Sequence, residues 1–190
     1  MKKLLLMFCS ALLFTACGGT GGGGTSLNIK SDGQTMTLTA KTSGVDLGNV
    51  ISTSPGKPNL QTSNHSIIIS NYDMDLTNLG TMRKPLTAAD QIRLAISITG
   101  EAATNEKTPF KVGTYLVSNE YVNDVRDVSV TTFADGKEKK IDFDTMSSFS
   151  KLTGQVKITS VTDDSVSGTI DVTEGDKSVK GSFTAKLTKK

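Results

Sequence analysis

Hydrophobic and polar residues alternate along most of this chain, most clearly near its end. Three segments share one form, apolar-x-Gly-x-apolar-x-apolar: Leu152-Thr153-Gly154-Gln155-Val156-Lys157-Ile158, Val166-Ser167-Gly168-Thr169-Ile170-Asp171-Val172 and Val179-Lys180-Gly181-Ser182-Phe183-Thr184-Ala185. A period of two marks a strand with one buried face. The segments start fourteen and thirteen residues apart, too close for a crossover helix between them. The links Thr162-Asp163-Asp164 and Glu174-Gly175-Asp176-Lys177 carry tight-turn residues. The pattern predicts a three-stranded meander. Its glycines fall on the inward face, where a missing Cβ permits bending or close backbone approach.

The same alternation runs upstream. Val128 and Val130 alternate with Asp127, Ser129 and Thr131, and Phe133 leads into Asp135-Gly136, a strong two-residue hairpin signal. The chain then returns with Ile141 and Phe143 on one face. Ile92, Leu94, Ile96 and Ile98 predict another half-buried strand, and Met36, Leu38 and Ala40 another. Residues 110–117 and 67–72 add two more, and the unbroken Ile67-Ile68-Ile69 implies burial on both faces. Thr87-Ala88-Ala89-Asp90 allows one helical turn at most. About nine or ten short strands and no long helix predict an all-β fold, an antiparallel β-barrel or β-sandwich.

The first residues follow a different pattern. Lys2 and Lys3 precede an apolar run over residues 4–14, then Thr15, Ala16 and Cys17. This is a positive region followed by a signal-length apolar segment, and it falls short of the roughly 20 residues that span a bilayer. Leu13-Phe14-Thr15-Ala16-Cys17 resembles a bacterial lipoprotein lipobox, with Phe14 at the usual Leu position and Leu13 one place earlier. The resemblance implies cleavage between Ala16 and Cys17, a diacylglyceryl thioether on Cys17 and acylation of the new amino group. Two or more acyl chains anchor stably where one does not. A glycine-rich stretch follows, Gly18-Gly19-Thr20-Gly21-Gly22-Gly23-Gly24-Thr25. It resembles the tethers of surface lipoproteins in some Gram-negative bacteria, and Gly18 after the cysteine fits outer-membrane sorting. The expected organisation is a signal peptide over 1–16, lipidated Cys17 and a flexible tether over 17–25, and one all-β domain over 26–190. The closing Gly-x-Phe-x-Ala-x-Leu from Gly181 is similar to the ends of small calycin-like lipoprotein domains.

Composition narrows the chemistry. Lys and Arg number 21 against 19 Asp and Glu. If Lys2 and Lys3 leave with the signal, as the resemblance implies, the remaining side-chain charges balance, and a nucleic-acid partner is not expected. One His, two Cys and no Trp leave little for metal or thiol sites. The resemblance implies that Cys9 departs with the signal and Cys17 carries lipid, so the domain is expected to have no disulfide. His65 is expected in a surface loop. A hydrolase using it with a Ser and an Asp needs an oriented triad, and no Gly-x-Ser-x-Gly elbow is present. Asp73-Met74-Asp75 begins a calcium-loop pattern that fails at Asn78 and Lys84. Asp142 with Asp144, and Asp163-Asp164, read as solvated turn acids. Lys137-Glu138-Lys139-Lys140 reads as a charged edge that discourages aggregation. Tyr72, Tyr115 and Tyr121 read as core or rim residues.

Loops on a rigid β scaffold are the usual contact sites. Residues 52–66 form a long polar connector with Pro55, Gly56 and Pro58, and residues 100–109 a shorter one. Met146 and Phe149 suit a plug at one end of a barrel. The functional expectation is a lipid-anchored, monomeric cell-envelope protein, in the outer membrane on its periplasmic or outer side. Its role is non-enzymatic binding or adhesion to an unidentified protein, without a metal or cofactor. An alternative is a calycin-like barrel holding a small apolar ligand, and a third is the His65 hydrolase.

Overall fold

The computed structural model describes residues 24–53, 58–77, 84–118, 120–143 and 151–187. Eleven strands are present among the described residues: β1 (Ser26–Ser31), β2 (Gln34–Thr39), β3 (Thr42–Ser52), β4 (Leu60–Ser70), β5 (Ile92–Ala102), β6 (Gly113–Val117), β7 (Asp124–Ala134), β8 (Lys137–Phe143), β9 (Leu152–Val161), β10 (Ser165–Glu174) and β11 (Lys177–Leu187). The expected three-stranded meander is β9-β10-β11. The Asp135-Gly136 hairpin joins β7 to β8, with both turn residues at positive φ, as a type I′ turn requires. Thr87-Ala88-Ala89-Asp90 forms a turn, held by Gln91 Oε1 accepting the Thr87 and Ala88 N–H groups.

The strands form two antiparallel arrays. The first runs β3-β4-β5-β7-β8 and the second β6-β9-β10-β11-β1-β2. Two short parallel ladders close them into an eight-stranded barrel. One pairs Leu116 with Asp124 and Val117 with Val125, and the other pairs Lys186 with Gly44 and Leu187 with Val45. The barrel is therefore mixed, which corrects the antiparallel expectation. The reason is branching. β7 gives its first two residues to β6 and residues 128–134 to β8. β11 gives residues 178–182 to β1 and its last two to β3. Each branching strand has room for only a two-residue parallel contact, so no long crossover is needed.

The interior is packed with side chains. Leu27, Ile67, Ile96, Val130, Ile158 and Phe183 belong to one continuous core cluster, at 0–2% exposure. Ile67, Ile68 and Ile69 are all buried, as their unbroken run implies. Glycine allows the second array to bend tightly. A Cβ on Gly168 would lie 2.3 Å from the Lys157 carbonyl oxygen and 2.8 Å from the Phe183 ring. At Gly154, φ is +127°, and a Cβ would lie 2.0 Å from the Asp171 oxygen.

Several strand expectations need correction. β1 and β3 are additional strands. β4 begins at Leu60, so most of the expected connector over 52–66 is strand. Its Thr62, Ser63 and His65 are polar yet only 1–3% exposed, and a buried polar strand carries no hydrophobic alternation. The strand expected over 110–117 starts only at Gly113, although Phe110 still reaches the core from the preceding loop. Residues 1–23, including Ala16, Cys17 and most of the tether, lie outside the described residues, as do Pro55, Gly56, Met146 and Phe149.

Candidate functional site

His65 is the residue to place first, because the hydrolase reading depended on it. It lies within β4 rather than in a surface loop, and it is 3% exposed. Its Nε2 lies 2.7 Å from the Thr108 carbonyl oxygen, so the ring donates its proton to backbone. The ring tilts against Phe110 with centroids 4.9 Å apart. Burial pushes its pKa below the ordinary value, which keeps the ring neutral and apolar-compatible. Thr104 completes the attachment. Its hydroxyl accepts the Ser63 N–H at 2.8 Å and donates to the Glu101 carbonyl at 2.5 Å. Together these bonds fasten the loop after β5 over one end of the barrel. A ring with Nε2 committed to a carbonyl and Nδ1 buried is poorly placed to deprotonate a nucleophile.

Beside it lies a second buried polar group. Asp124 is 1% exposed at the start of β7. Its carboxylate accepts the Thr99 hydroxyl, the Ser118 hydroxyl at 3.2 Å and the Tyr121 N–H at 2.9 Å. Tyr121 and Asn123 both have positive φ, a conformation that such residues rarely adopt. The carboxylate thus holds the tight turn that makes the β6–β7 parallel ladder. Both groups are structural in their contacts.

The solvent face of the first array offers different chemistry. Ladder pairing aligns Ser66, Ser97 and Asp127 in one row, Ile68, Ala95 and Ser129 in the next, and Arg93, Thr131 and Lys140 in a third. These residues line an open groove of about 360 Å³. Its floor is sunken: Ile68 and Ser129 are 6% and 7% exposed although their side chains face outward from the barrel. Ser66 and Ser97 share a hydrogen bond of 2.9 Å.

Asp127 sits at one end of this groove. The Ser129 hydroxyl donates to it over a long 3.4 Å. Burial lifts its carboxyl above the ordinary value, Lys140 draws it back, and Asp142 adds to the rise. Lys140 pairs with Asp142 at 2.6 Å. Arg93 is anchored at the opposite rim, donating to the Lys84 carbonyl at 2.6 Å and the Tyr72 hydroxyl at 3.3 Å. The groove therefore presents fixed cations, a desolvated acceptor, several hydroxyls and a small apolar floor.

The other sequence candidates have ordinary roles. Asp73 pairs with Lys41 at 2.7 Å, and Asp75 accepts the Thr77 N–H and hydroxyl, a local turn. The Lys137-Glu138-Lys139-Lys140 run is on the barrel-edge strand β8, as the charge pattern implied. Tyr115 is buried, with its hydroxyl donating to the Lys111 carbonyl, and the Arg126 guanidinium stacks over Tyr121. Sequence reading missed the groove because its residues, mostly Ser, Ala and Thr, belong to no motif and meet only through strand register. No protein-family model, curated protein or solved structure matches the chain.

Proposed function

We propose that the chain is a lipid-anchored cell-envelope protein whose barrel is a non-enzymatic binding module, and that it binds a hydroxyl-rich polar ligand, carbohydrate in type, in the outer groove. The anchor half rests on sequence: Lys2-Lys3, the apolar run, and the lipobox-like Leu13-Phe14-Thr15-Ala16-Cys17. On this reading Cys17 attaches the protein to the outer membrane through its acyl chains, and residues 18–25 hold the barrel off the lipid surface.

One observation carries the binding half. Asp127 is held partly desolvated, with a raised pKa, in a groove lined by hydroxyls. A desolvated carboxylate costs stability, and such costs are concentrated where ligands bind. Sugar hydroxyls both donate and accept, so they would satisfy Asp127, Ser66, Ser97, Thr131 and Lys140 together, with a ring C–H face on Ile68 and Ala95. A barrel also fits a calycin-like fold in general terms, but an apolar ligand inside it would have to displace core side chains such as Leu94 and Ile96, both at 0% exposure.

Two experiments test the two halves. Cys17→Ser should abolish metabolic lipid labelling and membrane retention; a variant that still fractionates with membrane contradicts the anchor. A panel of soluble glucan, mannan and N-acetylhexosamine oligomers should yield at least one saturable binder. Its affinity should fall tenfold or more in Asp127→Ala. Equal binding by parent and variant contradicts the groove.

A further inference from the structure

The barrel carries two strands with an open edge, and they are built differently. Among the described residues β8 pairs only with β7, and β2 pairs only with β1. β8 holds Lys137, Glu138, Lys139 and Lys140, the charges that keep an edge from pairing with another chain. β2 reads Gln-Thr-Met-Thr-Leu-Thr, with no charge, proline or glycine, a composition that favours strand addition.

The backbone of β2 is also oriented for it. The Asp32-Gly33 turn, with both φ values positive, closes on the pair Ser31–Gln34. A two-residue loop makes that pair hydrogen-bonded, and the pattern then alternates. Met36 and Leu38 therefore bond to β1. The bond from Ala40 N–H to the Thr25 carbonyl, 3.0 Å, continues the same phase. Thr35, Thr37 and Thr39 are left with N–H and C=O groups directed to the open edge, and all three are exposed.

The threonines are symmetric about Thr37, with an aliphatic residue on either side of it, Met36 and Leu38. Placing a two-fold axis there sets Thr37 opposite Thr37 of the partner subunit and Thr35 opposite Thr39 of the partner subunit. These are the residues whose backbone groups are free. Met36 falls opposite Leu38 of the partner subunit on the inward face. Cross-strand Thr–Thr and aliphatic pairs both favour sheet pairing. We infer that β2 is a homodimerisation edge, joining two copies of this chain antiparallel about Thr37 so that the second array continues from one barrel into the next. A self-complementary patch is what a two-fold dimer requires. On this inference the chain is a dimer rather than the monomer expected from its sequence.

The test uses the full chain in detergent micelles. Hydrogen-bonded antiparallel pairs have Cα atoms about 5.5 Å apart, within disulfide range. Thr37→Cys should give a covalent dimer under copper–phenanthroline, well above any background that the parent chain gives. Thr153→Cys, on the outer face of β9, should not exceed that background. In sedimentation equilibrium the parent should show a monomer–dimer equilibrium, and Thr37→Lys should weaken it at least tenfold. Because Thr37 is exposed, circular dichroism should show Thr37→Lys still folded. A parent chain that stays monomeric, a dimer unaffected by Thr37→Lys, or no cross-link above background would overturn the inference.

Discussion

The two arrays of the barrel differ in what they bury. The second array follows simple alternation: Val156, Ile158, Val166, Ile170, Val172, Val179 and Phe183 point in, and Gln155, Lys157, Thr169 and Asp171 are exposed. The first array buries polar groups as well. Thr62, Ser63, His65, Thr99 and Asp124 are at most 3% exposed, and Ile68 and Ser129 are sunken on its outer face. One array is a scaffold set by the hydrophobic effect. The other buries polar groups as well, some bonded, as Thr99 is to Asp124, and some not, as Thr62 Oγ1 and His65 Nδ1, and it carries the groove. Most of the buried polar groups therefore collect on the first array, while Ser31 of β1 is a buried polar residue of the second.

Breaking the polar side should have the largest effect. Asp124→Ala removes the acceptor for Thr99, Ser118 and Tyr121 and leaves buried donors unpaired. We expect a loss of about 3 kcal/mol in urea unfolding. A loss below a few tenths of that would mean the β6–β7 ladder does not depend on this carboxylate. The matching break in the second array is Gly168→Ala. Its Cβ would meet the Lys157 carbonyl and the Phe183 ring, at an expected cost of about 2 kcal/mol. An unchanged midpoint would show that the array is looser than its packing implies.

A smaller effect separates the arrays by pH. The His65 pKa is lowered by burial from an ordinary 6.5. Its contribution is fully present above that value and is lost as pH falls through the lower, folded-state value. Thermal stability should therefore decline on acidification below about pH 6.5, and His65→Gln should flatten that limb. A pH profile identical in the two proteins would contradict the assignment. The smallest effect concerns Asp127, whose pKa is raised from 3.8. Its stabilising share is present below that value and lost as pH rises through the folded-state value, leaving a net cost at neutral pH. Asp127→Asn should raise the melting temperature slightly at pH 7, and the gain should vanish in acid. A lower melting temperature at pH 7 would show that the carboxylate has a structural role.

The same contrast explains what the sequence revealed. The meander, the Asp135-Gly136 hairpin and the β5 alternation were legible because each depends on neighbours in the chain. β4 was read from Ile67 onward because only there does it become apolar; Thr62, Ser63 and His65 are buried by tertiary packing under the loop that ends at Val112. The parallel ladders were invisible because two residues of register leave no periodic trace. Asp127 was legible as a strand residue, and the groove around it was not, since Ser66, Ser97 and Thr131 come together only across three strands. The lipobox-like segment lies outside the described residues, and its reading rests on sequence alone.

The account's central claim is that the ligand sits outside the barrel, in the groove of the polar array. The most direct measurement is a titration of the ¹⁵N-labelled chain with the tightest-binding oligosaccharide of the panel, followed amide by amide. The account predicts saturable shifts centred on Ser66, Ser97, Asp127, Ser129 and Thr131, with Thr153, Gln155 and Asp171 on the second array unmoved. Shifts centred on core residues such as Ile96 and Ile158, or on the second array, would contradict it.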